Sequence, residues 1–253
     1  MNLDITKYPG SKGASGVKEF LINNTPKCEF FVDGFGGSGF VSESIAKLEK
    51  NIQILYFEIV KHVFKQFKEA STLPGIKCFN ENVIEHYLNN LSKKDKSDLQ
   101  YLFEETVFFF DPPYLFETRR TIRPMYDYEW TLEQHIEFLA FVRLLSEKTR
   151  AKIMITHPEC DTYNALLVDG YTDKEWTAQP FAYMGRGGKI DDMLWTNFNP
   201  KEEVLLSYKY VGDNNTDRQR IKRKSERWTE KIKALPFHEQ QAIVTEIASL
   251  KCS

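Results

Sequence analysis

No run of 18 or more apolar residues occurs anywhere in the 253-residue chain, which excludes an ordinary membrane-spanning helix. Cysteine is scarce. Cys28, Cys78, Cys160 and Cys252 stand far apart with no CxxC pair. That excludes a disulfide framework and fits free thiols in a reducing cytoplasm. His62, His86, His135, His157 and His238 lack ligand spacing, so no metal site is expected. The opening "MNLDITKYPG" lacks the charged-then-apolar pattern of a secretory leader, and a cytoplasmic location is expected. Net charge is also low, −2 with a pI of about 6.3. This argues against a protein that simply coats nucleic acid. The charge is unevenly placed, however. "RQRIKRKSERWTEKIK" (218–233) and "RRTIR" (119–123) are basic, so a nucleic-acid partner stays admissible.

What is present is a series of short apolar runs: "CEFFVD" (28–33), "IQILYFE" (52–58), "TVFFFD" (106–111) and "AKIMITH" (151–157). Each reads as a strand buried on both faces. Helical patterns separate them. "SESIAKLEK" (42–50) follows the first. "TLEQHIEFLAFVRLLSEK" (131–148) places Leu132, Ile136, Leu139, Val142 and Leu145 at helical spacing, with Thr131 and Gln134 as a capping box. Strands alternating with helices imply an α/β fold with a mostly parallel sheet. "MLWTNF" (193–198) and "EVLLSYKY" (203–210) are expected to form an antiparallel hairpin at its edge. "VGDNNTD" (211–217) has linker composition. Beyond it Ile221, Trp228, Ile232 and Leu235 share a helical face, Pro236 breaks the pattern, and Ile243, Ile247 and Leu250 restart it. The expected organisation is a main domain, 1–212, and a basic helical hairpin, 213–253.

"FFVDGFGGSG" (30–39) runs from strand through glycines toward a helix, and Gly34, Gly36 and Gly39 satisfy GxGxxG. Glu58, about 20 residues on, ends the next strand and could take ribose hydroxyls. Asp33 stands directly ahead of the glycines, where a carboxylate would repel a pyrophosphate. It favours a ligand carrying an ammonium or sulfonium. S-adenosylmethionine (AdoMet) has both, so the residues favour an AdoMet cradle, with NAD as the alternative.

"FFFDPPYLF" (108–116) carries Asp111 to the carboxyl edge of the expected sheet. Pro112 and Pro113 fix φ and remove two backbone donors, leaving nearby carbonyls as rigid acceptors. Tyr114 adds a flat π face. A carboxylate, a carbonyl and an aromatic platform suit a planar ring bearing an exocyclic amine. The amine would donate to Asp111 and to the Pro112 carbonyl while the ring stacks on Tyr114. The bland alternative is a Pro-Pro turn closing a strand.

At these residues the sequence resembles the Dam-type DNA adenine methyltransferases, especially compact phage-like versions. "KYPGSKG" (7–13), "FVDGFGGSG", "DPPY", "YEWTLEQH" and "GRGGKIDDMLWTNF" (185–198) carry the resemblance, over roughly residues 7 to 200. It implies a Rossmann-like AdoMet-dependent methyltransferase fold and methyl transfer from AdoMet to the N6 amine of an adenine flipped out of duplex DNA. It implies a cofactor set of Lys7, Tyr8, Lys12, Asp33, Phe35, Gly36, Gly37, Glu58 and Asp111. The catalytic set is Asp111, Pro112, Pro113 and Tyr114. The acid near the cofactor adenine falls in "FNENV" (79–83), as Glu81 or with Asn82 in its place. Arg119, Arg120 and Arg123 would contact phosphates, and Tyr126 or Tyr128 would fill the hole left by the base. The basic tail could grip duplex backbone.

Two departures stand out. Gly34 replaces a usual proline, which is expected to make the loop more flexible. The long target-recognition insertion after the second strand has no room here, since "IVKHVFKQFKEASTLPGIKC" holds barely a helix and a turn. Rival readings are an RNA-adenine or cytosine-N4 methyltransferase, or a silent AdoMet- or DNA-binding protein.

Overall fold

The computed structural model describes residues 11–13, 16–91, 103–119, 123–169, 175–185, 188–209, 211–212 and 215–249. The chain divides into two compact units, Met1–Ser207 and Tyr208–Ser253.

The first unit is built on a seven-stranded sheet. Its strands are β1 (Phe30–Asp33), β2 (Gln53–Phe57), β3 (Ile76–Phe79), β4 (Thr106–Phe110), β5 (Lys152–His157), β6 (Thr177–Gly185) and β7 (Gly188–Thr196). The order is β3-β2-β1-β4-β5-β7-β6. β1 to β5 run parallel, and β7 is antiparallel to both β5 and β6. This is the Rossmann-like arrangement expected of a methyltransferase. The four apolar runs named above are four of its central strands.

The phenylalanine triplet shows how the core is divided. Side chains alternate across a strand. Phe108 and Phe110 enter one apolar cluster with Val32, Ile153, Ile155 and Trp195. Phe109 enters the other, with Phe31, Ile54 and Met154. The first cluster is covered by α5 (Leu132–Lys148), which contributes Phe138, Leu139, Phe141, Val142 and Leu145. The second is covered by α1 (Val17–Ile22) and α2 (Phe40–Leu48). Two further helices, α3 (Lys61–Ala70) and α4 (Val83–Leu91), complete the strand connections. The α5 capping box forms: Gln134 Oε1 accepts from Thr131 N at 2.9 Å, and Gln134 N donates to Thr131 Oγ1 at 3.4 Å.

Two sequence expectations are corrected. β7 contains "MLWT", but its hairpin partner is the upstream β6, not 203–210, whose described residues have only an isolated bridge between Leu205 and Pro26. Pro180 hid β6, because proline argues against a strand. Here it lies on the outermost strand, the place where a sheet tolerates proline. The segment after Glu58 holds not only a helix but also β3, a four-residue edge strand that includes the exposed Lys77.

The second unit contains α6 (Asn215–Lys233) and α7 (Phe237–Ser249), separated at Pro236 as expected. Trp228, Phe237, Val244 and Ile247 are exposed on it. Among the described residues, no helix is long and apolar enough to cross a membrane.

Candidate active site

The sheet order reverses direction between β1 and β4. From β1 the chain goes to β2 on one side, and from β4 to β5 on the other. Ligands in open α/β sheets bind outside the strand carboxyl ends at such a point. Asp33 is the last residue of β1, and Asp111 follows the last residue of β4. A single cleft opens here. Lys12, Asp33, Phe35, Gly36, Gly37, Glu58 and Asp111 all line it, although they come from four separate parts of the sequence. Lys7 and Tyr8 lie outside the described residues.

The glycine loop is held close to the sheet. Gly36 N donates to Phe57 O at 2.8 Å, and Gly39 N to Gly36 O at 2.8 Å. Tyr56 Oη donates to Gly37 O at 2.7 Å. An added Cβ at Gly36 would lie 2.0 Å from the Tyr56 ring, so the loop backbone rests directly on that ring. Gly34 is not a loosening substitution. Its N–H bonds Phe109 O at 2.9 Å, and a Cβ would meet Phe110 at 2.5 Å. A proline would lose the bond and strike the ring.

Two buried carboxylates, Asp33 and Glu58, and the partly buried Asp111 face the cleft. Asp33 accepts from Ser42 Oγ at 2.6 Å. Burial, reinforced by Asp111 and Glu58 and opposed by the Ser42 bond, pushes its pKa up to about 7. Burial likewise raises Glu58, whose two oxygens accept from Gly37 N at 2.9 Å and Val60 N at 2.7 Å. Glu58 therefore orders the loop as well as facing the cavity. Burial also raises Asp111, opposed by Lys12 and by Thr156, whose hydroxyl donates to it at 2.8 Å. A cation entering this cleft would relieve the mutual repulsion of the three acids. The walls supply Val60, Val83, Phe35 and Trp130 for a flat apolar moiety, with Glu81 and Asn82 both at the rim. Asn82 Oδ1 accepts from Ile84 N at 2.9 Å, while Glu81 pairs with His86 at 2.9 Å. The site thus fits a ligand with a positive centre and a planar ring.

Tyr114 is placed differently from the sequence expectation. Its ring is buried, edge-on to His157 at 5.1 Å between centroids, and does not line the cleft. Its hydroxyl accepts from Lys12 Nζ and donates to Asp192 Oδ2 at 2.6 Å. Pro112 is buried behind the site, and Pro113 lines it. The backbone beyond the prolines is fixed by a residue that sequence reasoning missed. Leu115 N donates to His157 Nε2 at 3.0 Å, and His157 Nδ1 donates to the Pro158 carbonyl at 2.7 Å. This arrangement requires a neutral imidazole. Burial holds the His157 pKa down to about 3, with the Pro158 bond opposing.

The arginine expectation needs a correction as well. The Arg119 side chain is 3% exposed and forms a two-pronged pair with Glu129. It also lies over the rings of Phe116, at 4.4 Å, and Tyr126, at 5.3 Å. Glu129 Oε1 accepts from Met125 N at 2.6 Å and Tyr126 N at 3.0 Å, so the pair folds the loop. The Arg119 charge is taken up by Glu129 within the loop. Arg120 lies outside the described residues, and Arg123 is exposed. Tyr126 lines the cleft, where burial and then Asp111 push its phenol up to about 12. Tyr128, also at the cleft, is more than half exposed.

Residues 56–179 match the model of the D12 class N6 adenine-specific DNA methyltransferases. The match includes Glu58 and the DPPY segment, while the glycine loop precedes it. No match is found among curated proteins. Among solved structures, the chain is similar to an rRNA methylase from Streptococcus thermophilus. Identity is 11%, covering 71% of this chain and 92% of that one, with a TM-score of 0.43. It is also similar to a putative SAM-dependent methyltransferase from Streptococcus mutans (10% identity, 71% and 47% covered, TM-score 0.47). A third similar structure is TrmN from Thermus thermophilus (13% identity, 71% and 46% covered, TM-score 0.44).

Proposed function

We propose that this chain, whose residues 56–179 match the D12 class N6 adenine-specific DNA methyltransferase model, methylates the N6 amine of adenine in DNA. S-adenosylmethionine is the methyl donor and supplies a methyl group bound to a positively charged sulfur. The observation that carries the reading is the convergence of Asp33 and Asp111 on one cleft, each at the carboxyl end of adjacent strands.

The residues divide the work. Asp33 and Glu58 set a negative floor for the donor's cationic and ribose portions. Gly36 and Gly37 let the backbone approach it closely. Asp111 orients the target amine as an acceptor, with Thr156 and Lys12 holding its carboxylate in place. The prolines prevent that carboxylate from swinging away. Displacement at carbon needs alignment more than acid–base chemistry, so no general base is assigned. The target base lies within the helix stack and has to be flipped out to reach Asp111.

Between Glu58 and β3 the chain provides only α3 and its flanking turns. Each well-placed bidentate base contact supplies about 1–3 kcal/mol of discrimination and needs a rigid support. No such support stands at that position, so we expect a short sequence context around the adenine. Incubation with labelled AdoMet and either unmethylated DNA or RNA tests the substrate class. Label in DNA supports the reading, and label confined to RNA contradicts it.

Two expectations follow for the donor pocket. Replacing Glu58 by alanine removes an acceptor at the ribose position and two loop hydrogen bonds. Calorimetry is expected to show AdoMet binding weakened by about 1.5–3 kcal/mol, the range for hydrogen bonds to a charged group. Unchanged affinity would mean Glu58 does not face the donor. The second concerns pH. Asp33 is neutral below its raised pKa of about 7 and attracts a cation only when ionised. AdoMet affinity is therefore expected to rise with pH through about 7 and level off above it. In Asp33→Asn the same titration is expected to be flat through that window. A flat wild-type profile would contradict the assignment of Asp33 to the cationic end.

A further inference from the structure

Lys12 occupies the position prepared for a target base. Its Nζ lies 2.9 Å from Asp111 Oδ1, the carboxylate assigned to the incoming amine. The same ammonium donates to the Tyr114 hydroxyl and stands 4.8 Å from the ring centroid, at the hydroxyl end of the ring. One side chain thus ties Asp111 to the Tyr114 hydroxyl, and the Tyr114 ring itself is buried and does not line the cleft. A second carboxylate waits behind. Asp192, on β7, lies 3.6 Å from Lys12 Nζ, close enough for charge contact but beyond a good hydrogen bond. The two acids differ in access. The Asp111 side chain is 14% exposed and faces the cleft, whereas that of Asp192 is 0% exposed. Tyr114 Oη links the two ends, accepting from Lys12 and donating to Asp192.

We propose that Lys12 and Asp192 form a displaceable counter-ion pair: Lys12 holds Asp111 until the target amine arrives, then withdraws onto Asp192. The idea rests on the adenine-methylation reading above. Its physical basis is the cost of leaving a charge unpaired in a dry site. An empty Asp111 needs a cation. A neutral amine can take over its hydrogen bonds only if that cation has another carboxylate to join. Asp192 provides one within a small shift of the lysine side chain, so the ammonium stays buried and paired throughout. Asp192 is therefore a positioning residue, acting through Lys12 and Tyr114.

Such a device has a signature that a merely structural contact lacks. In Asp192→Asn the ammonium has no second carboxylate and remains on Asp111. The KM for DNA is expected to rise about ten- to hundredfold, the worth of one hydrogen bond to a charged group, with AdoMet affinity unchanged by calorimetry. In Lys12→Met, Asp111 loses its cation, and turnover is expected to fall at neutral pH and recover in part at higher pH. The double variant removes both the trapped ammonium and the neighbouring acid. It is expected to outperform Asp192→Asn alone. Should Asp192→Asn fail to bind AdoMet, Asp192→Ser takes its place in the same cycle. Two independent losses that multiply in the double variant, or a wild-type KM in the Asp192 variant, would overturn the proposal while leaving the methyltransferase reading intact. A wild-type protein that transfers no methyl to adenine would overturn both.

Discussion

Asp111→Asn is expected to abolish methyl transfer while leaving AdoMet binding within about tenfold of wild type. The asparagine keeps the shape of the side chain and an oxygen for the Thr156 hydroxyl, which donates at 2.8 Å. It loses the negative charge that draws hydrogen bonds from the target amine, and its own NH2 would face that amine as a competing donor. Groups that stabilise charge in a transition state typically contribute 10²–10³ in rate, and about that loss or more is expected here. Donor binding survives because Asp33 and Glu58 face it independently. Asp111→Ala is the harsher change, since it also removes the acceptor of the Thr156 hydroxyl. Single-turnover assays at saturating AdoMet separate these effects. An Asp111→Asn protein with substantial turnover would remove Asp111 from the chemistry.

The second large effect is expected at a residue that touches no ligand. Gly39 is the N-cap of α2, with φ at 70°. An alanine there is disfavoured by the left-handed backbone, at about 1–2 kcal/mol. Its Cβ would also fall 1.9 Å from the Phe67 ring. That ring cannot yield easily. It is buried and stacked on Tyr56 at 4.0 Å, and Tyr56 in turn supports Gly36 and Gly37. Overpacking adds about 1–3 kcal/mol. Gly39→Ala is therefore expected to lower stability by about 2–5 kcal/mol, or roughly 2–4 °C in Tm per kcal/mol. AdoMet affinity should fall with it, because the strain passes through Tyr56 to the donor loop. Gly16→Ala is the matched control. Gly16 also has positive φ, at 90°, but nothing lies within 4 Å of its would-be Cβ. Equal losses at the two positions would show that the Phe67 contact carries no weight.

The parts of this fold that could be read in the sequence are those governed by neighbouring residues. β1, β2, β4 and β5 are strongly apolar because the central strands are covered on both faces. The Thr131 cap and the Pro236 break are local chemistry. So are the glycine turn with Asp33 ahead of it and the stiff DPPY segment. β3 and β6 escaped because edge strands need not be apolar or free of proline. The site's supporting residues escaped for another reason. Lys12 and Tyr114 are 102 residues apart, and Tyr114 and Asp192 are 78 apart. No spacing rule connects such partners before the sheet brings them together. His157 closes a strand, and in the sequence it is only one of five histidines without ligand spacing. Arg119 sits in a basic cluster, and only Glu129, ten residues on, reveals why its charge is taken up internally.

The central claim is that this cleft methylates the N6 amine of adenine in DNA. The most direct test is to incubate the full-length protein with AdoMet and unmethylated duplex DNA, digest the product to nucleosides and identify the modified one by mass spectrometry. The account predicts N6-methyladenine, absent when Asp111→Asn replaces the wild type. N4-methylcytosine as the product, or no modified nucleoside from a protein that binds AdoMet, would contradict it.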